Sequence, residues 1–294
     1  MSDSDRDRDI PGVPCWVDTT QPDPDAAVEF YGGLFGWELE DTMPPDAPGR
    51  YFMGRIGGRD VAAVSSPMGD APPTATWNTY VWVGSADDAA AKVREAGGTV
   101  LTEPFDVMES GRMAVFADPA GAVFCVWQAN QFRGAQVVNE AGSLNFNDLN
   151  TRDLDGARAF YGAVFGWEAD PVDFGGDSEG EAFMWRLPGY GDFLAIRDPD
   201  IKRRHAEPWV PRGFSDAIGW MAAAGAPDRP PSWDVTFSVD GTDAVVERAV
   251  RLGGTVVSPP TDQAGGVVRV ATIRDPQDAT FSVGTFDPSA GSAS

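Results

Sequence analysis

The chain is almost without histidine: His205 is the only one among 294 residues. A metal centre built on several imidazoles, such as the two-histidine iron site of ring-cleaving dioxygenases, is excluded on that count alone. Cysteine is nearly as scarce. Cys15 and Cys125 cannot make a disulfide scaffold, and a reducing cytoplasm is the expected setting. Basic residues are few, with 22 Lys and Arg against 45 Asp and Glu. The net charge of −23 sets the chain against nucleic acid and anionic membrane surfaces as partners. No apolar run approaches the roughly 18–20 residues that cross a bilayer. The opening MSDSDRDRDI has no apolar stretch of the kind a signal peptide carries. Phosphate-cradling glycine loops, the GxSxG nucleophile turn and the HExxH zinc motif are all missing.

What is present is a duplication. PDAAVEFYGGLFGWE, ending at Glu38, recurs as LDGARAFYGAVFGWE, ending at Glu168. YVWVGSADDAAAKVREAGGTV from Tyr80 recurs as TFSVDGTDAVVERAVRLGGTV from Thr236. VFADPAGAVFCVWQ from Val115 recurs as TIRDPQDATFSVGT from Thr272. The order is the same in both copies, and the second carries extra residues between Tyr161 and Asp234.

Each copy contains one simpler unit twice. A short strand, such as Cys15–Asp18 or Trp77–Val83, leads into a helix, expected over 24–35, 86–96, 154–165 and 242–252. Ala27, Phe30, Tyr31, Leu34 and Phe35 fall on one helical face. Asp23 and Asp153 stand at N-cap positions, and Gly97-Gly98 and Gly253-Gly254 at the C-termini. Short alternating runs follow each helix, such as Tyr51–Ile56, Asp60–Val64 and Met113–Ala117. The expected organisation is a first module over 11–130, a linker over 131–142 and a second module over 143–287. An insertion is expected over 198–231, with a helical piece near 214–224, and the tails 1–10 and 288–294 are expected to be disordered.

These motifs resemble the vicinal oxygen chelate superfamily of glyoxalases, bleomycin resistance proteins and dioxygenases, closest to its two-module actinobacterial antigen-like members. The resemblance implies an α+β fold: four β-α-β-β-β units in tandem modules, forming curled mixed sheets with cup-shaped cavities. It also implies where a metal-dependent relative would carry ligands. Those positions hold Trp16 and Phe146, Asn78 and Asp234, and Cys125 and Ser282. None is histidine or glutamate, so the expectation is no metal and no cofactor.

Side chains two apart share a strand face. The first cup is therefore expected to be lined by Trp16, Asp18, Asn78, Tyr80, Trp82, Cys125 and Trp127, and the second by Phe146, Asp148, Asp234, Thr236 and Ser282. Whether units one and two close together, or one and four, is open. An aromatic cup suits a small, partly aromatic metabolite or antibiotic, as in the bleomycin resistance branch. One alternative is a metal-free lyase, isomerase, cyclase or hydroxylase-type tailoring enzyme with Asp18, Asp148 or Asp234 as acid or base. Another is an interaction or surface antigen protein with a vestigial cup. Cys125 reads as an inert buried thiol. The basic run Arg203-Arg204-His205 is expected in a cover over a cup, in a clasp between modules, or in a loop where it offsets local acid. The chain is expected to act as a monomer through its internal pseudo-dimer, or as a weak homodimer.

Overall fold

The computed structural model describes residues 10–67, 74–172, 182–207, 210–223 and 229–287. The tails 1–9 and 288–294, the Gly175-Gly176 turn, and Pro208 and Trp209 of the expected insertion lie outside the described residues.

The first unit runs β1 (Pro14–Thr20), α1 (Pro24–Phe35), β2 (Glu38–Asp41), β3 (Tyr51–Ile56) and β4 (Arg59–Ser65). The second runs β5 (Thr76–Trp82), α2 (Ala86–Glu95), β6 (Thr99–Val107), β7 (Gly111–Ala117) and β8 (Val123–Ala129). The third has β9 (Leu144–Thr151), α3 (Leu154–Phe165), β10 (Glu168–Val172) and β11 (Ala182–Arg186). Two helices follow, α4 (Tyr190–Arg197) and α5 (Ile201–Arg204), before β12 (Ala217–Ala223) completes it. The fourth has β13 (Ser232–Ser238), α6 (Thr242–Arg251), β14 (Thr255–Gln263), β15 (Val268–Arg274) and β16 (Thr280–Phe286). Among the described residues no helix is long and apolar enough to cross a membrane.

The helices begin and end where local chemistry directs. Asp23 accepts a hydrogen bond from the Ala26 amide, and Asp153 from that of Gly156. Gly36 and Gly166 close α1 and α3 in the left-handed conformation. The buried face of α1 is Ala27, Phe30, Tyr31 and Leu34.

Each module builds one eight-stranded mixed sheet, in the orders β2-β3-β4-β1-β5-β8-β7-β6 and β10-β11-β12-β9-β13-β16-β15-β14. The pairing left open by the sequence is thereby decided: β1 lies antiparallel to β5, and β9 to β13, so each cup is closed by consecutive units. The exchange between modules happens on the convex side. One core joins Phe30, Tyr31, Leu34 and Trp37 of the first unit to Phe237, Ile273 and Phe281 of the fourth. A second joins Val93, Phe116 and Phe124 to Phe160, Tyr161 and Trp185. Each large ring so buried contributes roughly 1.5–3 kcal/mol.

The repeated motifs are the contacts of this exchange. The Tyr31 hydroxyl donates to Asp275 at 2.7 Å and accepts from the Trp77 indole at 3.2 Å. Tyr161 repeats this with Asp118 at 3.1 Å and Trp233 at 2.8 Å. The aspartate of each DP turn thus caps its own turn through two backbone amides and also receives the tyrosine of the other module. The second glycine of each GG pair sits under a ring from the opposite copy. A Cβ on Gly98 would lie 2.7 Å from Phe160, and one on Gly254 3.2 Å from Phe30.

One expectation is corrected. Residues 198–231 are not wholly an insertion, because they contain β12. That strand pairs parallel with β9 and antiparallel with β11, the place β4 takes in the first sheet. The helical piece expected over 214–224 is a short 3-10 turn at Phe214–Asp216 followed by this strand. The true extra segment is 187–216, which replaces the Gly57-Gly58 turn of the first copy. AIGWMAA is a short apolar run without alternation, and periodicity alone does not separate strand from helix in such a run.

Candidate functional site: two unequal cups

In the first cup, Asp18 lies on β1 opposite Asn78 of β5. It is 3% exposed and accepts three hydrogen bonds: from Asn78 Nδ2 at 2.8 Å, the Tyr80 hydroxyl at 2.8 Å and the Tyr51 hydroxyl at 3.2 Å. Tyr51 in turn accepts from the Trp16 indole at 3.0 Å. Burial pushes the Asp18 carboxyl above its ordinary range, and these donors pull it back. Burial, with the charge of Asp18, drives both tyrosine hydroxyls well above theirs.

The expected aromatic lining is present but packed together. Trp16, Tyr80, Met113, Cys125 and Trp127 form a buried cluster of their own, with Tyr51, Met53, Phe105 and Phe132 partly buried against it. Phe132 comes from the linker between modules. Its ring meets Trp16 edge-on at 4.9 Å and Trp127 at 6.0 Å, and its carbonyl accepts from the Trp127 indole at 2.8 Å. Trp82, further along β5, stays partly exposed. Burial first, then Asp18, raises the Cys125 thiol far from reactivity.

The second cup uses equivalent positions differently. Asp148 lies opposite Asp234, as Asp18 lies opposite Asn78. Phe146 stands where the first cup has Trp16, Thr236 where it has Tyr80, and Ser282 where it has Cys125. The Thr236 hydroxyl donates to Asp148 at 2.5 Å. Burial raises the Asp148 carboxyl to about 7; Thr236 opposes this and the charge of Asp234 adds to it. Asp234 itself is held by Arg229, by Asn150 Nδ2 at 2.9 Å and by the Ser232 hydroxyl at 2.9 Å. Ser282 shares a hydrogen bond with Thr272 at 3.1 Å.

Phe146, Asp148, Thr236 and Ser282 are all partly exposed where Trp16, Asp18, Tyr80 and Cys125 are buried, and Asp234 is partly exposed like Asn78. Phe146 continues into an aromatic wall with Trp220 at 5.5 Å and Phe214 at 6.1 Å. The extra segment reaches this wall through His205, whose ring packs edge-on against Phe214 at 5.0 Å. Burial and Arg204 lower the His205 pKa, and its Nδ1 has no hydrogen-bond partner among the described residues. Arg203 and Arg204 are exposed and paired with Asp200 and Asp198. Of the basic run, only His205 is brought to the cup wall. An open depression of about 630 Å³ beside Asp155, Arg158 and Trp167 shares no residue with either cup.

The structure therefore separates the three candidate aspartates into a buried Asp18 and a facing pair, Asp148 and Asp234. Sequence reasoning missed Tyr51, Phe132 and Arg229. Tyr51 had a signal, because it alternates with Met53 on a strand that no motif marks. Phe132 and Arg229 lie in irregular Pro- and Gly-containing stretches without one.

The donor set does not fit a divalent ion of the kind metal-dependent relatives carry. No group of three His, Cys, Asp or Glu converges among the described residues. Asp234 is engaged by Arg229, and Cys125 is a buried protonated thiol.

Comparison with known proteins agrees with the two-module fold. The family model for the glyoxalase/bleomycin resistance protein/dioxygenase superfamily matches residues 16–126, and a glyoxalase-like domain model matches 146–284. CFP32 of Mycobacterium tuberculosis, provisionally named a glyoxylase, is 36% identical, over 92% of this chain and 94% of its own. The anthracycline biosynthesis protein DnrV of Streptomyces peucetius is 36% identical, over 94% of each chain. The 2,2',3-trihydroxybiphenyl 1,2-dioxygenase of Sphingomonas wittichii shares the fold, with a TM-score of 0.60 at 14% identity, over 94% of this chain and 91% of that one. With two matched modules, two cups and relatives aligned along nearly their whole length, the chain belongs to the glyoxalase/bleomycin resistance protein/dioxygenase superfamily as a tandem, two-module member.

Proposed function

We propose that the second cup binds a small, partly aromatic metabolite without the help of a metal ion. The observation that carries this is the partly exposed Asp148 beside a wall of three rings, Phe146, Phe214 and Trp220. Rings offer a planar ligand a stacking surface, and Asp148, Thr236 and Ser282 offer polar atoms to orient it. The named role of DnrV in anthracycline biosynthesis supports a polycyclic aromatic ligand. The shared cores support a chain that works as an internal pseudo-dimer, and the net charge of −23 weighs against nucleic acid or an anionic membrane as its partner.

A second reading is acid–base turnover of that ligand, favoured by one observation. A carboxyl raised to about 7 exchanges its proton near neutral pH, where general acids and bases work best. Titration with an anthracycline aglycone, followed by tryptophan emission and by mass spectrometry of the recovered ligand, separates the two. A binder returns the aglycone unchanged. An enzyme yields a product that Asp148→Asn abolishes. Emission that answers neither the aglycone nor a library of aromatic metabolites would favour an interaction protein with a vestigial cup.

A further inference from the structure

The first cup has a feature that packing does not account for. A carboxylate sits at the centre of its aromatic cluster, and among the described residues the groups that bond to it are all neutral. Taking a carboxylate out of water costs several kcal/mol, and an apolar side chain of similar size would fill the space without that cost. Among the described residues no lysine, arginine or histidine offsets Asp18, whereas Asp234 of the second cup has Arg229. Tyr51 and Tyr80 reach Asp18 through their hydroxyls, Trp16 bonds to Tyr51, and Trp127 lies in the same buried cluster.

Aromatic rings gathered about a carboxylate are what a compact organic cation requires. The ring quadrupoles attract the cation, the carboxylate neutralises it, and the rings replace its weakly held water. The rest of the molecule agrees in sign, because a chain of net charge −23 draws cations toward its surface.

The enclosure is completed by a residue that does not belong to the module's sheet. Phe132 lies just after β8, on the linker, and its ring is partly exposed while those beneath it are buried. Its neighbours are held by three backbone bonds: Phe132 N to Ser110 O at 3.0 Å, Ala135 N to Cys15 O at 2.8 Å and Gln136 N to Asp60 O at 2.8 Å. Tyr51, Met53, Phe105 and Val107, also partly exposed, make an apolar rim around it.

We propose that the first cup is a second ligand site, for a protonated or quaternary amine held by Asp18 within the Trp16, Tyr51, Tyr80 and Trp127 rings, and that Phe132 is the side chain that occupies its mouth until the ligand enters. The site is independent of the second cup and does not rest on the function proposed for it.

Choline and its uncharged isostere 3,3-dimethylbutan-1-ol serve as probes, with tryptophan emission and calorimetry as readouts on the full chain. Phe132→Ala should bind choline at least about tenfold more tightly than wild type, and choline at least about tenfold more tightly than the isostere. Adding Asp18→Asn to Phe132→Ala should remove the preference for the charged probe. Asp148→Asn should leave choline binding unchanged, which distinguishes this site from general attraction to the second cup. If Phe132→Ala does not fold, Phe132→Leu keeps the mouth apolar while shortening the plug, and the same order of affinities is expected. Choline binding that is absent from the folded plug variant, equal to that of the isostere, or lost with Asp148→Asn would overturn the proposal.

Discussion

The two cups are built from equivalent positions and end in opposite states. In the first, Trp16, Tyr80, Cys125 and Trp127 turn a concave sheet face into a small core, and the linker ring of Phe132 seals it. In the second, Phe146, Thr236, Ser282 and Gly284 occupy the matching places and leave the face open. Each exchange replaces a larger side chain by a smaller one, so volume alone explains much of the difference. The shared element is the aspartate at the centre, which both cups keep. Asp18 is enclosed with neutral donors, while Asp148 is partly exposed opposite a second carboxylate. Filling a cup does not require losing its acid.

The largest expected effect that tests this contrast is on stability. Trp16→Ala should cost about 3–5 kcal/mol in urea unfolding, because it empties a packed core and removes the donor to Tyr51. Phe146→Ala, at the equivalent position, should cost less than half as much and should instead weaken ligand binding. Equal losses would mean that both cups are cores.

Next comes the pH dependence of stability. The Asp148 carboxyl is raised from 3.8 to about 7 in the folded state. Between those values the folded chain holds a proton that the unfolded chain has lost, so this group's contribution is full below pH about 4 and falls as pH rises through about 7. Asp148→Asn should flatten that slope and stabilise the protein at pH 8 by on the order of 1–2 kcal/mol. Urea midpoints at pH 5 and pH 8 for both proteins provide the check. A slope unchanged in the variant would assign the linkage elsewhere.

The smallest effect is on the basic run. Arg203→Ala and Arg204→Ala should leave the melting temperature and ligand affinity unchanged, because both side chains are exposed and tied only to Asp200 and Asp198. His205→Ala, by contrast, should loosen the Phe214 wall and weaken binding about threefold. A clear loss of affinity in either arginine variant would restore those residues to a covering role.

Much of the fold was legible in the sequence because its signals are local. Asp23 and Asp153 cap, and the face through Ala27, Phe30, Tyr31 and Leu34 repeats with helical period. The duplicated FY, GG and DP motifs also mark the fold, but their reason is not local. Tyr31 reaches Asp275 and Phe160 covers Gly98, contacts that exist only once the modules have met. The candidate site was legible only in part. The ligand positions implied by the resemblance, extended by strand alternation, placed Asp18, Asp148 and Asp234 on the concave faces. It does not say which cup is filled. That depends on Phe132 folding back from a linker, and on β12 joining a sheet from inside an apparent insertion.

The central claim is that an aromatic ligand enters the second cup and not the first. Its most direct test compares Trp220→Ala with Trp82→Ala, since each removes a partly exposed tryptophan from one concave face. Calorimetric affinity for an anthracycline aglycone should fall at least about tenfold in Trp220→Ala and stay at the wild-type value in Trp82→Ala. The reverse order would place the ligand in the first cup and contradict the account.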